Sequence, residues 1–167
     1  MKRILLFLYL VIFIYNTNAQ LKKVDIVATG LTCSMCSNAI YKQLQSIDGV
    51  ERVEIDLNKN LFSVILKNEN TLTPKDFRDK VESAGFFVGS MILHIFCLNL
   101  SLEDGKQEGI FIFIDNKLQT LNGDKQFRVL DKGYVTTKEF KKLSKAYNKY
   151  SSYGSNSEND FHVKLIQ

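Results

Sequence analysis

The residues in this chain best suited to chemistry are its three cysteines, a close pair and a single: Cys33 and Cys36 sit in Thr32-Cys33-Ser34-Met35-Cys36, and Cys97 stands alone. Two thiols at this spacing, placed where a helix begins, can converge on one ion, and a helix N-terminus favours the deprotonated sulfurs that a metal requires. Thiolates are soft ligands. Two or three of them satisfy Cu(I), whereas structural Zn(II) takes four ligands in a tetrahedron, and the sequence has neither a second CxxC nor a nearby pair of histidines. Cu(I) therefore ranks first, with Zn(II) or another soft ion second. Met35, between the cysteines, offers a thioether that serves in principle as a third ligand, or simply as an adaptable contact surface. The same spacing also suits a redox dithiol, but Thr32 is not aromatic and Ser34-Met35 contains no proline. As a structural staple the pair is poor, because so short a loop removes little entropy from the unfolded chain.

The surrounding periodicities supply elements to position the pair. Val24, Ile26 and Ala28 alternate with Asp25, Val27 and Thr29 and form a strand that ends at Gly30. Ile40, Leu44 and Ile47 recur at helical spacing, so a helix starts within the cysteine segment and stops at Asp48-Gly49. Two alternating strands follow, Val53-Ile55-Leu57 and Phe62-Val64-Leu66, joined by an Asn58-Lys59-Asn60 turn. Thr73-Pro74-Lys75-Asp76 opens a second helix with Phe77, Val81 and Ala84 on one face, and Phe86-Phe87-Val88 begins another strand. The order βαββαβ is that of ferredoxin-like domains. Beyond Gly89-Ser90 the pattern is mostly strand, with one helix from Thr136 carrying Phe140, Leu143 and Tyr147. The predicted fold class is α+β: a ferredoxin-like domain over 20–89, then a small β-rich domain over 90–167, a sandwich or partly open barrel.

Residues 1–19 read as a signal peptide. A basic start, Lys2-Arg3, precedes an apolar run from Ile4 to Tyr15 and a small-residue exit at Ala19, and that run is shorter than the ~20 residues needed to span a bilayer as an anchor. Cleavage after Ala19 removes two basic residues and lowers the formal charge of +4 to +2. Near neutrality sets nucleic acid aside. The chain is expected to be exported, periplasmic or extracellular, meeting a membrane only during export.

Gly30-Leu31-Thr32-Cys33-Ser34-Met35-Cys36, between a strand and a helix at the front of this pattern, resembles the metal-binding loop of the heavy-metal-associated domain family, to which copper chaperones and the N-terminal domains of copper-transporting ATPases belong. The resemblance covers about residues 22–89 and extends to Asp48-Gly49-Val50 and Ala84-Gly85-Phe86. It implies metal binding through Cys33 and Cys36, a protein partner for metal exchange, Thr32 within the motif, and Phe86 beside the loop, where it limits water access. Leu31 stands where the family carries methionine, an exchange that changes volume little. Thr120-Leu121-Asn122-Gly123 and the stretch from Asp131 to Phe140 look similar to the second module of small exported bacterial proteins that begin with such a domain.

The remaining candidates have simpler explanations. Cys97 shares a strand face with Leu93 and Ile95 and is expected as a small buried hydrophobe. His94 and His162 lack ligand spacing and are expected at an edge or on the surface. Lysines 138, 141, 142, 145 and 149 form one helix face, either solvated or a docking surface for an acidic partner or lipid headgroups. No phosphate-cradling glycine loop and no nucleophile with its base are recognisable, so no enzyme is expected. The sequence thus points to an exported soft-metal binder acting in transfer, buffering or resistance, as a monomer or a metal-bridged dimer. The alternatives are an exported thiol redox protein and an interaction protein acting through its β-rich part.

Overall fold

The computed structural model describes residues 19–31, 34–155 and 159–166. The expected signal peptide, apart from Ala19, lies outside the described residues, as do Thr32 and Cys33. In chain order the elements are β1 (Ala19–Thr29), α1 (Ser34–Gln45), β2 (Val50–Asp56), β3 (Leu61–Leu66), α2 (Pro74–Ser83), β4 (Phe87–Leu102), β5 (Gln107–Glu108), β6 (Phe111–Phe113), β7 (Gln119–Val129), α3 (Thr137–Ala146) and β8 (Phe161–Leu165). The strands form one eight-stranded sheet in the order β2-β3-β1-β4-β7-β8-β6-β5. None of the described helices is long and apolar enough to cross a membrane.

The first four strands and two helices carry the ferredoxin-like pattern, and the period-2 and period-3.6 signals explain why. Val24, Ile26 and Ala28 of β1 and Phe62, Val64 and Leu66 of β3 turn to one face of the sheet, where Ile40 and Leu44 of α1 and Phe77 and Val81 of α2 cover them. The start of α2 is fixed by Asp76, whose carboxylate accepts the Thr73 backbone N–H at 2.7 Å and the Thr73 hydroxyl at 2.8 Å. The alternation expected of β2 holds only at Val53. Ile55 and Leu57 are 38% and 56% exposed: β2 is the edge strand, and Leu57 lies past its last residue, Asp56.

The 89/90 division expected from sequence falls inside β4, a strand of 16 residues that pairs with β1 from Ala19↔Cys97 to Thr29↔Phe87 and with β7 from Ile92↔Arg128 to Leu102↔Gln119. Gly89 does not break the strand. A Cβ there would lie 2.5 Å from Thr29 Cγ2, so the glycine lets the neighbouring side chain cross the strand where any other residue would clash. In place of a sandwich or barrel, the later strands extend the same sheet. One core runs through both halves, from Val24 and Phe77 to Phe113, Phe127 and Val163.

The second half differs in having a buried cluster on each face. Along β6, Phe111 and Phe113 join the main core while Ile112 joins a second cluster with Ile114, Leu130, Leu143 and Tyr147. Because successive strand residues point to opposite faces, α3 packs on the face opposite α1 and α2. Its start is fixed by the Thr136 hydroxyl, which accepts the Glu139 N–H at 3.2 Å.

Candidate metal centre

The candidate centre is the turn from β1 into α1. At the end of β1 the Thr29 hydroxyl donates to the Phe87 carbonyl at 3.2 Å, tying the strand end to the start of β4. Gly30 then reverses the chain with a φ of +86°, in the left-handed region that favours glycine, and Leu31 packs against the core. Cys36, at the third position of α1, is partly buried. Met35 beside it is 81% exposed. The first turn of α1 contains no acidic residue, so no carboxylate on the helix opposes the positive end of its dipole, which faces the cysteine segment. Phe86 is partly buried against the core, and a Cβ on Gly30 would lie 3.9 Å from its Cδ1, which puts the aromatic ring against the turn. Phe87, by contrast, is 67% exposed at the same end of the sheet.

Cys97 is not brought to this turn. It pairs with Ala19 at the far end of β1, whereas Thr29 at the near end pairs with Phe87. Ten residues of strand, at roughly 3.3 Å each, separate the two positions by about 30 Å. Cys97 is fully buried, its thiol contacts the Ile95 carbonyl at 3.7 Å, and burial pushes the thiol pKa up. The expected small buried hydrophobe is what the structure contains.

The two histidines correct the expectation of edge or surface positions. His94 lies within the sheet on β4 and is partly buried, with Nε2 2.7 Å from Asp25 Oδ2. Asp25 also accepts the Ser63 hydroxyl at 2.5 Å and pairs with Lys23 at 3.0 Å. Burial alone would raise the Asp25 pKa, but contacts with His94, Ser63 and Lys23 outweigh it and bring the carboxyl down to about 2. His162 is only 2% exposed. Its Nδ1 lies 2.7 Å from Asp131 Oδ1, its backbone N–H donates to Asp131 Oδ2 at 2.6 Å, and its Nε2 lies 2.9 Å from the Ser152 hydroxyl. These partners offset the cost of burying an imidazole.

Ser152, His162 and Asp131 thus have the order of contacts of a nucleophile, its base and an orienting carboxylate, an arrangement with no sequence signature. The three residues are spread over 31 positions with no shared motif. Asp131 borders the cavity between α2 and the C-terminal loops, but Ser152 does not line it. The chain of contacts fastens the turn at 151–155 to the sheet. Among the described residues, no group of three or more His, Cys, Asp and Glu side chains is placed to hold a metal ion.

A ferredoxin-like α+β scaffold with Cys36 in the first turn of its first helix defines the class. The family described as the heavy-metal-associated domain matches residues 21–87. The copper chaperone CopZ of Staphylococcus haemolyticus is 32% identical over 59 residues, which are 35% of this chain and 85% of that protein. The chain belongs to the heavy-metal-associated domain family. The copper-transporting ATPase RAN1 of Arabidopsis thaliana is 32% identical over 66 residues, 40% of this chain, and the chain spans only 6% of that protein's length. Among solved structures, the yeast copper transporter domain CCC2A, studied in apo and Cu(I)-loaded states, is 34% identical, with 39% of this chain and 88% of that chain covered and a TM-score of 0.35.

Proposed function

We propose that this chain is an exported carrier that binds Cu(I) through Cys33 and Cys36 and passes it to a protein partner by ligand exchange. The observation that carries this reading is the position of Cys36: in the first turn of α1, six residues after Gly30, the turn against which the Phe86 ring lies. Membership of the family supports it, as do relatives named as a copper chaperone and a copper-transporting ATPase. Exchange needs no change in oxidation state. A partner thiolate forms a bond to Cu(I) as one Cu–S bond to this chain breaks, and the released thiolate takes up a proton or the next ion. The exposed Met35 gives the incoming partner an apolar, adaptable contact, and Phe86 restricts water at the turn. Export rests on residues 1–19 acting as a leader, and N-terminal sequencing of the secreted protein should begin at Gln20.

The test is an anaerobic titration of the reduced chain against a colorimetric Cu(I) chelator, with Zn(II) in parallel and a Cys33→Ser/Cys36→Ser variant alongside. About one Cu(I) per chain, held more tightly than Zn(II) and lost in the variant, supports the proposal. Failure to compete for Cu(I), with a readily cycled Cys33–Cys36 disulfide, replaces it with the redox reading.

A further inference from the structure

The C-terminal half brings a cationic surface to the same end of the sheet as the cysteine turn. Residues 132–149 contain six lysines and one acidic residue, Glu139, which is more positive charge than the +4 of the whole chain. Glu139 is engaged by Arg128 at 2.9 Å, and Lys149 is paired with Asp104 at 3.2 Å. Lys132, Lys138, Lys141, Lys142 and Lys145 are exposed, and none is paired with a carboxylate of the described residues within 4.0 Å. Four of them lie along one face of α3 at positions i, i+3, i+4 and i+7. The start of α3 adjoins β1, since a Cβ on Gly89 would lie 2.5 Å from Thr29 Cγ2 and 3.8 Å from Thr136 Cγ2. Between them is a groove of about 490 Å³, lined by Thr29, Phe87, Lys132, Thr136 and Phe140 among others, whose Thr29 wall is one residue from Gly30.

We propose that this groove and the lysine face of α3 form the docking surface for an acidic protein that exchanges Cu(I) with the cysteine turn; the proposal rests on the metal reading above. Charge complementarity identifies the partner: five cations unpaired among the described residues, with Lys132 lining an apolar concavity, fit a protein segment carrying Asp and Glu around a protruding side chain. A bilayer fits less well. Leu143 and Tyr147 are turned into the chain's own second cluster, and α3 presents no exposed large apolar side chain. Among the described residues of this surface Phe87 alone offers a large exposed apolar group, where an interfacial helix buries a whole apolar face.

The probes are three synthetic acceptor peptides sharing one CxxC core, flanked by four aspartates, four serines or four lysines, used with the full chain and with a Lys138→Glu/Lys141→Glu/Lys142→Glu variant. The acidic peptide should take Cu(I) from the wild type about tenfold faster or more than the neutral one at low salt, with the advantage fading as salt rises. The variant should lose that preference while its Cu(I) affinity and circular dichroism spectrum stay unchanged. Equal rates for acidic and neutral peptides, or no effect of charge reversal, overturn the docking surface.

The acidic peptide with serines in place of its cysteines, titrated against the metal-free chain by fluorescence anisotropy, reads the surface without the metal. Binding there that the variant lacks sustains the surface even if the Cu(I) reading fails, and no binding overturns it. Tighter, variant-sensitive binding to vesicles of phosphatidylcholine and phosphatidylglycerol than to the peptide would assign the surface to membranes and overturn the protein assignment.

Discussion

The two halves of the sheet hang on one strand and are held by different means. In β1 and β3, apolar side chains alternate on one face and two amphipathic helices cover it. In β7-β8-β6-β5 a buried cluster lies on each face, and aspartates separated widely in sequence from their partners fasten the loops. Asp131 holds His162, Asp104 accepts the Tyr150 hydroxyl at 2.6 Å and the Asp115 N–H at 2.6 Å, and Asp115 in turn pairs with Lys164. The first half is thus specified by pattern and the second by particular contacts. The Cys36 end of the sheet belongs to the first kind of structure, and the lysine face to the second.

The largest expected effect tests whether the halves share β4. A chain ended at Gly89 loses Met91, Leu93, Ile95 and Cys97, all at most 3% exposed. At about 1.5–3 kcal/mol for each large side chain, the loss rivals the roughly 5–15 kcal/mol that stabilises a typical domain. Such a chain should show no cooperative thermal transition. A transition within a few degrees of the full chain's would mean that the first half is autonomous and that the continuation of β4 is dispensable.

Next is the fastening of the second half. Asp131→Ala leaves the buried His162 ring and backbone N–H without their acceptor, and should destabilise the chain by roughly 3 kcal/mol in urea unfolding. Val64→Ala should cost a similar amount, about 2–4 kcal/mol, by opening a cavity in the first half. If Asp131→Ala proves silent while Val64→Ala does not, the second half is not held by its aspartates.

A third substitution acts where the halves meet. Gly89→Ala forces a Cβ against Thr29 Cγ2 and should cost about 1–3 kcal/mol. Adding Thr29→Ser, which removes that methyl, should recover most of the loss. Simple additivity of the two changes in a double-mutant cycle would show that the close approach is not the cause.

The smallest effect is a pH dependence confined to the first half. The folded Asp25 pKa of about 2 lies below the ordinary value of 3.8. The stability it contributes is therefore present above about pH 4 and is lost as the pH falls toward 2, by on the order of 2 kcal/mol. Asp25→Asn should flatten the stability profile in that window. An unchanged acid limb in the variant would mean that the His94, Ser63 and Lys23 contacts do not lower the carboxyl.

Much of the first half was legible in the sequence because burial there follows local period. The Val24-Ile26-Ala28 strand, the Ile40-Leu44 helix face and the Thr73-Pro74 start all lie where the pattern puts them. Of the site, Cys36, Met35 and Phe86 could be located from the motif and its flanks, because the turn is local to the chain. The continuity of β4 was hidden because Gly89 resembles punctuation and its cause, the Thr29 methyl, is sixty residues away. Most of β7 was hidden too. Gln119 to Gln126 is largely polar, and it forms a strand because the backbone of β4 offers a ladder to pair with. His162 gave no signal, since its burial depends on partners at 131 and 152 that no periodicity links to it.

The most direct test of the central claim is copper K-edge X-ray absorption on the full chain loaded with Cu(I) without oxygen. Two or three sulfur atoms should surround the copper, with no nitrogen or oxygen ligand, and this coordination should be lost in Cys33→Ser/Cys36→Ser. A shell containing nitrogen or oxygen, or one that the double substitution leaves unchanged, would contradict the assignment of Cu(I) to this pair of cysteines.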